Sequence, residues 1–216
     1  MDQQHPSPSR WAIVLAGGEG TRMQPLVHRW LGFNRPKQYC AFVGSRSIFQ
    51  HTVDRAALVT APERIVAVVG RDHRDEILTQ LQGRTIGQVI YQPRNCETAA
   101  GLFLPLTYIH ARAPGATVVI FPSDHFIHPE DRFLAAVCRM AGLAETMPDR
   151  LVLLGIRPDR LEMEYGWILP GTALSSPEEA PICEVHSFME KPSRIQAVMA
   201  FRHGALWNTF VFASRA

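Results

Sequence analysis

The stretch Trp11-Ala12-Ile13-Val14-Leu15-Ala16-Gly17-Gly18-Glu19-Gly20-Thr21-Arg22 decides the fold. Its first half, residues 11–16, is an apolar run of the kind found in strands buried on both faces. Its second half places three glycines within four residues and closes on an arginine. Glycine has no Cβ, so the backbone there can turn tightly and come close to a ligand. Successive backbone N–H groups in such a loop form an anion-binding hollow. The Arg22 guanidinium adds a planar fork of donors suited to phosphate oxygens. A strand, a glycine loop and a fixed arginine in this order suggest a nucleoside triphosphate site. Two commoner glycine loops do not fit. The P-loop needs a Gly-Lys pair, and this loop closes Gly20-Thr21-Arg22. The dinucleotide fingerprint begins well at Gly18 and Gly20, but no third glycine arrives and Gln24-Pro25 end the match. The plainer reading of this segment alone is a tight turn after a strand.

Outward from the loop, strand and helix signals alternate. Residues 11–16, 65–70, 87–91, 117–121 and 151–156 read as Val/Ile/Leu-rich strands. Residues 47–59, 72–82, 97–111 and 130–145 read as helices, the first capped by Ser47 and the last preceded by Pro129. This alternation predicts an α/β fold with a doubly wound, mostly parallel sheet. Ligands of such sheets bind outside the carboxyl ends of the strands. The glycine loop and Asp124 both fall at such ends, so they can face one cleft. Past residue 156 the pattern changes to strands at 165–169 and 182–190, a polar loop at 170–181, a short helix at 194–203 and a last strand at 206–212.

A length of 216 residues is enough for one domain with a sizeable core. Hydrophobic content of 46% and charged content of 19% are those of an ordinary globular chain. A net charge of +2 argues against nucleic acid or an anionic membrane as partner. Residues 1–10 are polar and read as a disordered tail, with no apolar segment of a signal peptide. No apolar run is long enough to span a membrane. Cys40, Cys96, Cys138 and Cys183 form no metal or disulfide pattern and read as reduced thiols. The expected location is cytoplasmic.

The loop is followed by Arg35-Pro36-Lys37-Gln38. Together, LAGGEGTRMQPL and RPKQ resemble the sugar-1-phosphate nucleotidyltransferase family, most of all its mannose-1-phosphate guanylyltransferases. Further segments resemble family motifs in the family's order: Ser47-Ile48-Phe49-Gln50; Gln92-Pro93 with Asn95, Thr98 and Ala99; Phe121-Pro122-Ser123-Asp124-His125; Gly155-Ile156; Tyr165-Gly166; Glu190-Lys191-Pro192; and Trp207-Asn208. The likeness implies a Rossmann-like nucleotidyltransferase fold with an added sugar-binding β region, the nucleotide half at about 11–156 and the sugar half at about 157–216. It implies nucleotidyl transfer from a nucleoside triphosphate, GTP favoured, to a sugar 1-phosphate, mannose 1-phosphate favoured, with release of pyrophosphate.

The same resemblance assigns residues. Leu15, Ala16, Gly17, Gly18, Gly20, Thr21 and Arg22 would cradle the nucleotide, and Gln92, Asn95 and Thr98 would meet its base. Arg22, Lys37 and Asp124 would be catalytic, with Asp124 holding Mg²⁺. Glu162, Tyr165, Gly166, Glu190, Lys191 and Asn208 would line the sugar phosphate. Plainer readings stand beside these: Lys37 as a solvated lysine, Asp124 as a loop cap, and Gln92 and Asn95 as turn residues. His125 reads as a packing or supporting residue, because Mg²⁺ prefers oxygen.

Three departures from the family pattern matter. Asn95-Cys96-Glu97-Thr98-Ala99-Ala100 replaces Asn-Arg-Gly-Thr-Ala-Pro. Phe210 stands at the glycine of Trp-Asn-Ser-Gly. The segment carrying the family's second metal-binding aspartate is absent. The alternative function is therefore a weak or inactive relative, or a C-terminally truncated fragment, that binds nucleotide or sugar phosphate in a regulatory role. A last strand left uncovered would expose Trp207, Phe210 and Phe212 and favour a homodimer.

Overall fold

The computed structural model describes residues 10–94, 97–175 and 181–216. The chain forms two compact units, one of residues 1–152 with 212–216 and one of residues 153–211.

The first unit is built on four parallel strands, β1 (Arg10–Ala16), β2 (Ile65–Gly70), β3 (Gln88–Gln92) and β4 (Thr117–Pro122). Their spatial order is β3-β2-β1-β4. Ala12, Ile13 and Val14 are successive residues of β1 and all are fully buried, so both faces of the sheet are covered. Helices α2 (Ile48–Ala56), α3 (Arg74–Gln80), α4 (Glu97–Arg112) and α5 (Glu130–Thr146) supply that cover. Ile109 of α4 packs into one cluster with Ile13, Val66, Val68, Val118 and Ile120. Chain order reverses between β1 and β4, which is the switch point where doubly wound sheets take ligands. Ser47 caps α2 in a full capping box with Gln50, as its position before an apolar-periodic run predicts.

Helix α1 (Gln24–Leu31) directly follows the glycine loop and is a finding beyond the sequence reading. Pro25, where the sequence leaves the dinucleotide fingerprint, lies in the first turn of this helix, where a proline forfeits no hydrogen bond. Gly32, with φ +81°, ends the helix in the left-handed region. Arg10 belongs to β1, so the first strand begins within the stretch read as a tail.

The second unit contains the greater part of β5 (Val152–Ile156), with β6 (Trp167–Ala173), β7 (Cys183–Met189) and helix α6 (Arg194–Arg202). β6 pairs antiparallel with β7, and its register shifts around Pro170, so the strand runs on into residues expected as loop. Ser193 and Gln196 form a second capping box at α6. The last strand, β8 (Leu206–Arg215), takes part in both units. Leu206 and Trp207 pair with β6 in the second unit, and Phe212–Arg215 pairs antiparallel with β4 in the first.

That pairing corrects the expectation of an uncovered last strand. Trp207 is only 8% exposed, and Phe210 and Phe212 are half-buried. The ground for expecting a homodimer through this edge is thereby removed. Among the described residues no helix is long and apolar enough to cross a membrane.

Candidate active site

The glycine loop leaves the carboxyl end of β1 and is braced from beneath. Gln38, 3% exposed, donates from Nε2 to the carbonyls of Ala16 (3.2 Å) and Gly18 (2.7 Å). The Tyr39 hydroxyl donates to the Ala16 carbonyl at 3.3 Å. The neighbouring Leu15 carbonyl accepts from the backbone N–H of Ser123 (3.0 Å) and from its hydroxyl, Oγ (2.6 Å), tying the ends of β1 and β4 together. Carbonyls held downward in this way leave the loop's amides available for an anion. The sequence reading noted Gln38 only as part of RPKQ. Its bracing role shows once the buried amide is seen beneath the loop.

Two glycines are required by close approach. A Cβ on Gly17 would lie 2.5 Å from Oε1 of Gln92. Gly20 has φ +62°, and a Cβ there would lie 3.1 Å from the backbone nitrogen of Lys37. The loop is thus pressed between Gln92 at the end of β3 and the 3-10 turn Lys37–Tyr39. Gln92 is buried, with Nε2 3.2 Å from where a Cβ on Gly101 would stand. Thr21 and Arg22 lie exposed in the 3-10 turn Thr21–Met23, and Thr98 lies exposed in the first turn of α4. Asn95 lies outside the described residues.

Lys37 and Asp124 meet in this unit. Lys37 Nζ is 2.7 Å from Asp124 Oδ2, and both side chains are about one-third exposed. His125 Nε2 lies 3.6 Å from the other carboxylate oxygen. Burial pushes the Asp124 carboxyl up, but His125 and Lys37 together outweigh it and hold the group below the usual carboxylate range. Burial pushes His125 down, and its neighbours Lys37 and Arg55 act in the same direction against Asp124. Among the described residues no three His, Cys, Asp or Glu side chains converge as a metal cage. A single accessible carboxylate is nevertheless the donor set that suits Mg²⁺ bound mainly through substrate phosphates and water.

A cavity of about 570 Å³ adjoins the pair, with Lys37, Asp124, Arg46, Arg55, Phe42 and Phe126 among its walls. Arg55 is 4% exposed and paired with Glu130 at 2.8 Å. Leu26, Lys37, Ile48, Asp124 and His125 of this lining belong to motif segments singled out in the sequence, whereas the loop residues Phe42, Val43 and Arg46, and Glu130 of α5, do not.

The remaining candidates lie in the second unit. A Cβ on Gly166 would stand 2.9 Å from Glu190 Oε2, and the Gly166 carbonyl accepts from the Asn208 N–H at 2.8 Å. Glu190, Gly166 and Asn208 are therefore brought together. Lys191 follows with φ +45°, in the left-handed region that non-glycine residues seldom adopt. Tyr165 stacks edge-on against Trp207 at 5.3 Å. Glu162 sits in a turn, where it accepts the Glu164 N–H at 3.0 Å and its own carbonyl takes the Trp167 indole N–H at 2.7 Å. Phe210 keeps a φ of +57°, and the Asn208 side chain accepts its N–H at 3.0 Å. The backbone at the family's glycine position thus retains a glycine-like turn.

Comparison with known proteins agrees with this architecture. The family model described as nucleotidyl transferase matches residues 11–216. The xanthan biosynthesis protein XanB of Xanthomonas campestris pv. campestris is 33% identical over 207 residues, covering 94% of this chain and 42% of that protein. The mannose-1-phosphate guanylyltransferase of Escherichia coli K12 is 30% identical over 211 residues, covering 95% of this chain and 43% of that protein. A crystal structure from Thermus thermophilus, described as a mannose-1-phosphate geranyltransferase, superposes with a TM-score of 0.81 at 28% identity. That superposition covers 96% of this chain and 57% of the other. The chain spans about two-fifths of the length of the curated relatives it matches.

Proposed function

The chain belongs to the nucleotidyl transferase family, and we propose that it joins a nucleoside triphosphate, GTP favoured, to a sugar 1-phosphate, mannose 1-phosphate favoured. The observation that carries this reading is the Lys37–Asp124 pair beside a glycine loop braced by Gln38. In the proposed reaction a phosphate oxygen of the sugar 1-phosphate attacks the α-phosphorus. The new P–O bond forms as the bond to the β-phosphate oxygen breaks, and pyrophosphate leaves with that electron pair. Two polyanions must meet, so positioning and charge neutralisation dominate. The loop amides and Arg22 would bind the β- and γ-phosphates. Lys37 would turn from Asp124 to the phosphates as a mobile point charge. Asp124 would hold Mg²⁺, which neutralises phosphate charge when bound. Gln92 would meet the base with its amide. Glu190, Lys191, Gly166, Tyr165, Asn208 and Glu162 would receive the sugar phosphate. On this reading the protein acts in the cytoplasm.

Pyrophosphate release, measured across a panel of triphosphates and sugar 1-phosphates, tests the proposal. Release is expected to be fastest with GTP and mannose 1-phosphate. Arg22→Ala should slow it roughly 100–1000-fold, the scale for losing one pre-aimed donor. Binding of triphosphate without release from any pair would replace transfer by a binding role.

A further inference from the structure

One buried group takes no part in the proposed chemistry. His73 ends the 3-10 turn Arg71–His73 after β2, beneath the glycine loop, and is 6% exposed. Its ring stands edge-on to Tyr39, with centroids 5.4 Å apart. Nδ1 lies 3.4 Å from the Tyr39 hydroxyl, which in turn reaches the Ala16 carbonyl at the start of the loop. Nε2 is buried, makes no hydrogen bond, and points to Glu19 Oε1 at 3.5 Å. Glu19 lies in the loop between Gly18 and Gly20, with its side chain half exposed.

A carboxylate at this point is out of keeping with a loop that receives phosphates, because like charges repel across a few ångströms. The imidazole offers it a counter-partner. The Tyr39 hydroxyl has one proton. If that proton goes to the Ala16 carbonyl, Nδ1 must donate to the phenol oxygen, and only the imidazolium also presents an N–H to Glu19. If it goes to Nδ1, Nε2 carries the ring proton toward Glu19, and Ala16 keeps Gln38 alone. In the first arrangement the imidazolium links the start of the loop, through Tyr39, to the carboxylate; in the second the ring still joins Tyr39 to Glu19 while Gln38 holds Ala16.

We propose that His73 is a positioning residue for the nucleotide's phosphates, fastening the glycine loop through Tyr39 and drawing the Glu19 carboxylate away from the anion the loop receives. The inference rests on the nucleotide reading of this loop. The relay does not touch substrate, and it involves none of Arg22, Lys37 or Asp124.

Calorimetry with Mg²⁺-GTP and with inorganic triphosphate tests it. The unaltered chain is expected to bind both. His73→Phe keeps a ring in the core but frees Glu19, and should weaken both probes about tenfold, the scale of one nearby like charge. Glu19→Gln should tighten binding far more in the His73→Phe background than in the unaltered chain. A role confined to packing would give Glu19→Gln the same effect in both backgrounds, and that result overturns the proposal. Tyr39→Phe, which keeps the core filled, supplies an independent arm should His73→Phe fail to fold. It should weaken inorganic triphosphate several-fold and speed hydrogen exchange over residues 16–20. Unchanged affinity and exchange in Tyr39→Phe also overturn the proposal. If the unaltered chain binds neither probe, the nucleotide reading itself fails, and the positioning role falls with it.

Discussion

Replacing Gly17 by alanine tests the packing of the site with the smallest possible perturbation. The added Cβ would lie 2.5 Å from Gln92 Oε1, where ordinary contact begins at 3.4 Å, so the amide must retreat by almost an ångström. Gln92 is only 6% exposed, and the other end of its amide lies against the backbone of Gly101. There is little room for retreat. Overpacking of this kind costs about 1–3 kcal/mol. A domain of this size loses roughly 2–4 °C of Tm for each kcal/mol, so the melt should fall by about 2–12 °C. Displacement of the amide should also weaken GTP about tenfold, the equivalent of about 1.4 kcal/mol. Thermal denaturation followed by circular dichroism and GTP titration calorimetry read the two effects separately. Adding Gln92→Ala to Gly17→Ala should recover part of the lost Tm, because the clash is gone, and should leave GTP binding weak, because the amide is gone. The reasoning is refuted if Gly17→Ala melts and binds like the parent, or if the two substitutions lower stability additively, as unconnected sites do.

Three further outcomes are expected. Asp124→Asn keeps the shape of the side chain and removes its charge, so GTP titrations should lose the Mg²⁺ dependence expected of the parent; equal dependence in both would make Asp124 structural. Gln38→Leu removes the donors to Ala16 and Gly18, and should cost about 1–3 kcal/mol in a denaturant melt while weakening GTP more than mannose 1-phosphate. Burial raises the Asp54 carboxyl, but hydrogen bonds from Arg84 and Arg46 outweigh it and hold the group low. A depressed folded pKa gives stability that is present above the ordinary carboxylate value and lost as pH falls through the folded one. Tm should therefore drop as pH goes below about 4, and Asp54→Asn should flatten that part of the profile.

The sheet was legible because its strands are buried on both faces. Continuous apolar runs such as residues 11–16 and 117–121 read as strands without alternation, and the loops at their carboxyl ends mark the cleft. Helix α1 was not legible. Its apolar residues Leu26 and Trp30 remain exposed, and Pro25 marks only the end of the dinucleotide match. The extent of β6 was hidden by Pro170 and Gly171, which the strand accommodates by shifting register. The glycines and Arg22 could be named as candidates from residue type and order, and Lys37 and Asp124 through the likeness of their segments to family motifs. The supports beneath them could not. Gln38, Tyr39 and His73 act through the direction in which a buried side chain points, and direction is set by tertiary packing. The covering of β8 was likewise invisible, since its partners come from elements distant in the chain.

The division of β8 bears on how the protein emerges from the ribosome. Residues 212–216 belong with the first unit, although the whole of the second, residues 153–211, is synthesised before them. When the nascent chain has reached Val152, β1 to β4 are complete, yet the side of β4 that Phe212–Arg215 will occupy has no partner. A bare strand edge of this kind is a template for wrong pairing, and folding in the order of synthesis leaves it exposed until the second unit has been made. A chaperone that shields β4 during that interval would raise the yield of native protein without altering its final stability.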